Sequence, residues 1–197
     1  MTQEPVPLAS IHQAVLEFVS NRDDVVLYGA QAVNAYVDEP RMTQDVDLAA
    51  TDAARLAKEI QVYLRSRFHI AVRVRDVAEG RGFRVYQLQR PKNRHLVDLR
   101  SVPSLPPAQR IGTLLVVEPA ELIAGKLIAY QKRRGTPKSG TDWRDLAMLL
   151  LTFPELRTSA GPVRQRLEVA GAGAEVMAAW EDLIAQEIRP ATEDEGF

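Results

Sequence analysis

The chain of 197 residues has no cysteine, which excludes a disulfide framework and any thiolate-ligated metal site. It lacks the run of roughly 18 apolar residues that a membrane-spanning helix needs, and its opening residues do not read as a signal peptide. No excess of either charge is present: 25 basic residues face 26 acidic ones, for a formal net charge of −1. Proteins that live on duplex DNA usually carry a clear basic surplus, so that class is disfavoured. The densest basic cluster is Lys132-Arg133-Arg134, followed by Lys138. Internal repeats and low-complexity tracts are also absent. What remains, 46% hydrophobic and 26% charged, is ordinary for a globular protein of one compact domain with a helical extension. The absences together suit a cytoplasmic protein.

Periodicity divides the chain into alternating elements. Ser10 is placed to cap a helix through about Asn21, with Ile11, Val15, Phe18 and Val19 on one face. Val25 to Tyr28 reads as a short buried strand closed by Gly29, Ala30 to Val37 as a short helix, and Asp45 to Ala50 as a second strand. Thr51 caps a longer helix in which Ala54, Leu56, Ala57, Ile60 and Leu64 recur at helical spacing. Three strand-like runs follow: Ile70 to Val77, Gly82 to Gln89, and His95 to Val102, the first two joined by a hairpin turn over Glu79 to Gly82. Three prolines make Val102 to Pro107 a loop, and a strand from Thr113 to Val117 leads to Pro119 in the first turn of a helix ending near Arg134. Gly135 to Gly140 reads as a turn before further helices, and Glu193-Asp194-Glu195 as a frayed acidic tail. This order predicts an α+β fold with an α/β-like core over residues 1–117 and a C-terminal helical region, 118–197, packed on it.

Residues two apart on a strand point to the same face, so Asp45 and Asp47 project together while Val46 and Leu48 turn to the core. Two neighbouring carboxylates repel unless a cation sits between them, and oxygen-rich sites of this kind suit Mg²⁺ or Mn²⁺. A bare Asp-x-Asp is also what a solvated strand face carries, so the context decides. Gly29 closes one strand and opens a helix, where backbone amides can approach a phosphate. Arg41 and Thr43 add a cation and a hydroxyl just before Asp45. Asp98 lies among apolar neighbours in His95-Leu96-Val97-Asp98-Leu99 and therefore needs a partner: either an arginine, Arg94 or Arg100, or a place in the same acidic site. His12, His69 and His95 read as ordinary surface or packing histidines. Lys126 is centred on an apolar stripe of Leu122, Ile123, Ala129 and Tyr130, from which it either snorkels to the edge or reaches an anion in a cleft, the reading favoured here. Asp142 and Asp145 share a helix face; Asp142 is either an N-cap or a site acid, and Asp145 reads as structural, pairing with an arginine.

Leu27-Tyr28-Gly29-Ala30 followed by Arg41-Met42-Thr43-Gln44-Asp45-Val46-Asp47-Leu48 resembles the signature of the nucleotidyltransferase superfamily. Within it, the likeness is strongest to the AbiEii-type toxin nucleotidyltransferases, where a Gly-Gly or Gly-Ser pair precedes Arg-x-Thr-x-Asp-x-Asp. Glu118-Pro119 through Lys126-Leu127 and Asp142-Trp143-Arg144-Asp145-Leu146 resemble that family's later lysine and Lys-Asp-x-x-Asp-Leu segments. The chain departs from the pattern at Ala30, which removes a hydroxyl expected to touch a phosphate, and at Thr141, where the family carries a basic residue.

The resemblance, over about residues 25 to 150, implies a mixed sheet flanked by helices and a metal-dependent transfer of a nucleotidyl group from a nucleoside triphosphate to an acceptor hydroxyl. It assigns Mg²⁺ or Mn²⁺ to Asp45, Asp47 and Asp98, and nucleotide contacts to Gly29, Ala30, Arg41, Thr43 and Lys126. Catalysis falls to Asp45, Asp47, Asp98, Lys126 and Asp142. The implied acceptor is an RNA end, a protein hydroxyl or a small molecule such as an antibiotic, and the implied partner an antitoxin, with no membrane. The alternative, carried by Ala30, is a non-catalytic binding module on the same fold.

Overall fold

A computed structural model describes residues 6–77 and 79–190; the acidic stretch Glu193 to Glu195 lies outside them. Among the described residues two compact units separate, one within Met1–Ala35 and Pro40–Val117, the other within Tyr36–Glu39 and Glu118–Phe197. No described helix is long and apolar enough to cross a membrane.

The first unit is built on a seven-stranded mixed sheet. Its strands are β1 (Val25–Tyr28), β2 (Val46–Ala50), β3 (Val72–Val77), β4 (Gly82–Gln87), β5 (Arg94–Ser101), β6 (Ala108–Ile111) and β7 (Leu114–Val117), in the order β3-β4-β5-β2-β1-β7-β6. The pairs β2–β5 and β1–β7 are parallel and the others antiparallel. Helices α1 (Leu8–Val19) and α3 (Ala53–Phe68) pack on each other and on the strands β2 to β5. Their apolar stripes (Ile11, Ala14, Val15 and Val19; Leu56, Ala57, Ile60 and Leu64) are buried there with Val46, Leu48, Val97 and Leu99. The burial follows from the two periodicities, 3.6 in the helices and 2 in the strands.

Local chemistry moves several boundaries. Helix α1 begins at Leu8 after Pro7, so Ser10 sits inside it rather than capping it. Asp52, not Thr51, caps α3, accepting from the Arg55 amide at 3.0 Å. Helix α2 (Gly29–Asn34) stops short of Val37. Strand β6 has no alternating pattern to mark it; it forms by pairing with β7 across a tight turn at Gly112, whose φ of 57° suits glycine.

In the second unit, α4 (Pro119–Lys132) contacts α5 (Pro137–Thr152), α6 (Pro162–Val169) and α7 (Ala174–Ala185). Each of α4, α5 and α6 opens on proline, whose missing amide hydrogen costs nothing in a first turn. The core between these helices encloses Ile123, Leu127, Leu146, Leu149, Leu167 and Trp180. Helix α5 starts at Pro137 after Thr136, so four of the six residues from Gly135 to Gly140 are helical, and Asp142 lies within α5 rather than at its N-cap.

Candidate active site

The register of the sheet brings the acids together. Asp47 on β2 is the direct partner of Asp98 on the parallel strand β5, and directly paired residues project from the same face. That is the face opposite Val46 and Leu48. Asp98 is in turn the partner of Arg84 on β4, whose Nε donates to Asp98 Oδ1 at 2.8 Å. Asp98 thus has an arginine partner, supplied by the neighbouring strand and not by Arg94 or Arg100.

His95 joins this face through an irregularity. It lies three residues before Asp98, a separation that in a regular strand sends the two side chains to opposite faces. Between them the β4–β5 register slips: Val85 pairs with Val97, but Tyr86 pairs with His95, leaving Leu96 as an extra residue. The bulge reverses the alternation and re-aims the imidazole. Its Nδ1 lies 3.1 Å from Asp45 Oδ2 and its Nε2 3.4 Å from Asp98 Oδ1, with Tyr86 stacked on it at 5.1 Å. His95 is therefore not the ordinary histidine its sequence context suggests. One donor atom each from Asp45, His95 and Asp98 lies within 4.8 Å of the others.

The electrostatics follow from this packing. Burial disfavours a charged His95 ring, but the carboxylates of Asp45 and Asp98 beside it outweigh that cost and raise the pKa to about 10. Burial pushes the Asp98 carboxyl up, yet His95 and Arg84 together hold it below the ordinary carboxylate range. His12 on α1 is buried and hydrogen-bonds the backbone of Gln44, next to Asp45; burial lowers its pKa, so the ring is neutral at pH 7.

Gly29 opens α2 with a φ of +69°. A Cβ there would lie 1.9 Å from Asp47 Oδ2, so the Asp47 carboxylate occupies the space that glycine leaves open. Ala30 follows as the second residue of α2. The polar side of this helix holds the loop before Asp45: Gln31 Nε2 donates to Thr43 Oγ1 at 2.7 Å. Asn34 donates to the Arg41 carbonyl at 2.8 Å and accepts from its amide at 3.0 Å.

The remaining expected site residues belong to the second unit. Lys126 does not snorkel: it is buried, with Nζ 2.6 Å from Asp145 Oδ2, and Asp145 is fully enclosed. Asp145 thus has a lysine among its partners. Asp142 is buried and takes Arg133 Nη1 on both oxygens, at 3.2 and 2.9 Å.

A mixed sheet with an Asp-x-Asp strand beside a third acid defines a nucleotidyltransferase fold, and solved structures agree. The Megavirus polyadenylate synthase superposes with a TM-score of 0.60 at 11% identity, over 75% of this chain and 32% of that one, so the chain spans about a third of its length. JHP933 from Helicobacter pylori gives a TM-score of 0.52 at 12% identity, covering 89% of each chain. ANT(2″)-Ia in complex with adenylyl-2″-tobramycin gives 0.51 at 13% identity, covering 89% of this chain and 97% of that one. No curated protein matches the sequence. The family model for the nucleotidyl transferase AbiEii toxin of the Type IV TA system matches residues 13–194, and the chain belongs to that family. It is a nucleotidyltransferase.

Proposed function

We propose that the protein transfers a nucleotidyl group from a nucleoside triphosphate to the hydroxyl of an RNA end, in a reaction that requires a divalent ion. The observation that carries this reading is the row Asp47–Asp98 across β2 and β5, with Asp45 on the same face. The donor set fits such an ion: carboxylates within 4.8 Å, and a ring nitrogen, His95 Nε2, that is buried without a hydrogen-bond partner. Asp45, Asp47 and Asp98 would hold it, and it supplies the positive charge that offsets charge developing on the phosphates.

The chain's own groups do the rest. Gly29 leaves room for Asp47 and for close approach of the α2 backbone to a phosphate, with Arg41 and Thr43 on the loop that α2 holds. Asp98, with its lowered pKa, is a weak base; its assigned work is to orient the attacking hydroxyl. The new bond joins that oxygen to the α-phosphorus, the bond to pyrophosphate breaks, and the hydroxyl proton passes to solvent. Lys126 is paired with Asp145 in the second unit, and the family likeness alone assigns it a triphosphate oxygen. Asp142 has the site role its family likeness assigns, with Arg133 held against it.

RNA is favoured over a cationic drug by the charge beside the acids. Arg75 pairs with Arg84, and Arg73 with Tyr86, in the register that continues to Asp98 and His95. Arg73, Arg75, Arg84 and Arg100 are exposed, and Arg100 stacks on Tyr28 at 5.0 Å. A row of arginines interleaved with tyrosines suits a phosphodiester strand. The family's description as a Type IV toxin supports a toxin role with a separately encoded antitoxin partner, acting in the cytoplasm where nucleoside triphosphates are made.

The test is incubation of the purified protein with each radiolabelled nucleoside triphosphate, Mg²⁺ or Mn²⁺, total RNA and an antibiotic panel. Label is expected on RNA and absent with Asp45→Asn or Asp47→Ala. Label on an antibiotic instead would overturn the choice of acceptor, and no transfer at all would favour a non-catalytic module, the reading Ala30 allows. A second prediction concerns the arginine row. Arg73→Gln combined with Arg75→Gln is expected to lower transfer to RNA at least about ten-fold and to flatten the salt dependence of RNA binding by about 1.4 in log–log slope, as two lost single-strand phosphate contacts require. Filter binding across a salt series reads both.

A further inference from the structure

An ion site made only of carboxylates accepts Mg²⁺ readily, because Mg²⁺ keeps oxygen ligands and several waters. This face is built differently. The Leu96 bulge turns a nitrogen donor into it, and two contacts fix the ring there: Asp45 Oδ2 at 3.1 Å from Nδ1, and the Tyr86 ring at 5.1 Å. A ring nitrogen anchored by a carboxylate leaves the other nitrogen aimed, the usual way a ligating histidine is oriented. Here that other nitrogen is Nε2, which is buried, makes no hydrogen bond, and stands 3.4 Å from Asp98 Oδ1. Donors about 2.0–2.2 Å from a common ion stand roughly 3–4.4 Å apart, close to the 4.8 Å within which Asp45, His95 and Asp98 each offer an atom.

We propose that His95 is a direct ligand of the divalent ion through Nε2, alongside the carboxylates of Asp45, Asp47 and Asp98, and that this nitrogen makes the site prefer Mn²⁺ to Mg²⁺. Imidazole nitrogen binds first-row transition ions well, whereas Mg²⁺ gains little from exchanging water for it; three carboxylates and one imidazole are a set that Mn²⁺ accepts. Ligation exchanges a proton on Nε2 for the ion and releases it to solvent. The inference rests on reading this face as the ion site of the transferase.

The experiment uses the full chain and Mn²⁺ as the probe. Free Mn²⁺ is counted by electron paramagnetic resonance during titration, with Mg²⁺ as competitor, and the bound ion is examined by electron spin-echo envelope modulation for a directly bonded ¹⁴N. Mn²⁺ is expected to bind at least about ten-fold more tightly than Mg²⁺, with clear ¹⁴N modulation. In His95→Asn and His95→Gln the modulation should vanish and the preference fall at least about ten-fold, the loss that removing one group of a metal site commonly brings, while Asp45→Asn should weaken Mn²⁺ binding itself. Bound Mn²⁺ that depends on Asp45 but shows no ¹⁴N modulation in the unaltered protein would overturn the role of His95 and leave the proposed reaction standing. Failure of the protein to bind Mn²⁺ at all, with Mg²⁺ equally unbound, would sink both. The signal from the unaltered protein needs no variant to fold.

Discussion

Gly29→Ala is expected to remove nucleotidyl transfer almost completely while the protein still folds. The added methyl would fall 1.9 Å from Asp47 Oδ2 and 2.5 Å from its carboxyl carbon, so either the Asp47 side chain leaves its place or the backbone does. The φ of +69° adds a strain of about 1–2 kcal/mol for a non-glycine residue. That cost alone leaves most of the stability of a typical domain intact, since domains are stable by about 5–15 kcal/mol. Displacing a group next to an ion site commonly costs about 10–100-fold in metal affinity or activity, and Asp47 is itself an assigned ligand, so a loss of at least about 100-fold is expected. Ala30→Ser is the control. It adds an oxygen one residue further along a helix that already carries a Cβ there, and it restores the hydroxyl of the family pattern, so activity should hold or rise. Steady-state kinetics beside a thermal melt distinguishes the two variants. Equal activity in Gly29→Ala would remove Asp47 from the site.

Asp145→Ala should have the largest effect on stability. Asp145 is fully enclosed and holds the buried ammonium of Lys126 at 2.6 Å. Removing one partner of a buried ion pair strands the other charge, at about 3–5 kcal/mol, or on the order of 10 °C in Tm for a chain of this length. The double variant Asp145→Leu with Lys126→Met removes both charges and should recover most of that loss, because well-packed apolar residues often replace a buried pair without penalty. Urea unfolding of the two single variants and the double variant measures the coupling. A double variant no more stable than Asp145→Ala would mean that the pair is not what holds these helices together.

The elements nearest in sequence are legible from the chain alone. Strands β1 and β2, helix α3 and the common face of Asp45 and Asp47 follow from alternation and helical spacing, which act between residues a few positions apart. The same local logic picks out Gly29, though for a phosphate; its tight fit against Asp47 arises only from the pairing of Tyr28 and Asp47 across β1 and β2. Asp98 reads as an acid in need of a partner, but Arg84 is beyond the reach of that reading because it lies on a different strand, 14 residues away.

His95 shows the limit most clearly. Read by alternation it points away from Asp98, and only a one-residue bulge, set by how β4 pairs with β5, turns it inward. Lys126 and Asp145, 19 residues apart on different helices, likewise meet only because α4 packs against α5. The sequence by itself determined the fold class, the acidic strand and the family, since these rest on short-range periodicity and on spacing along the chain. Tertiary structure alone decided which charges neutralise which, and that a histidine joins the acids, because strand register and helix packing bring together groups that no local pattern relates.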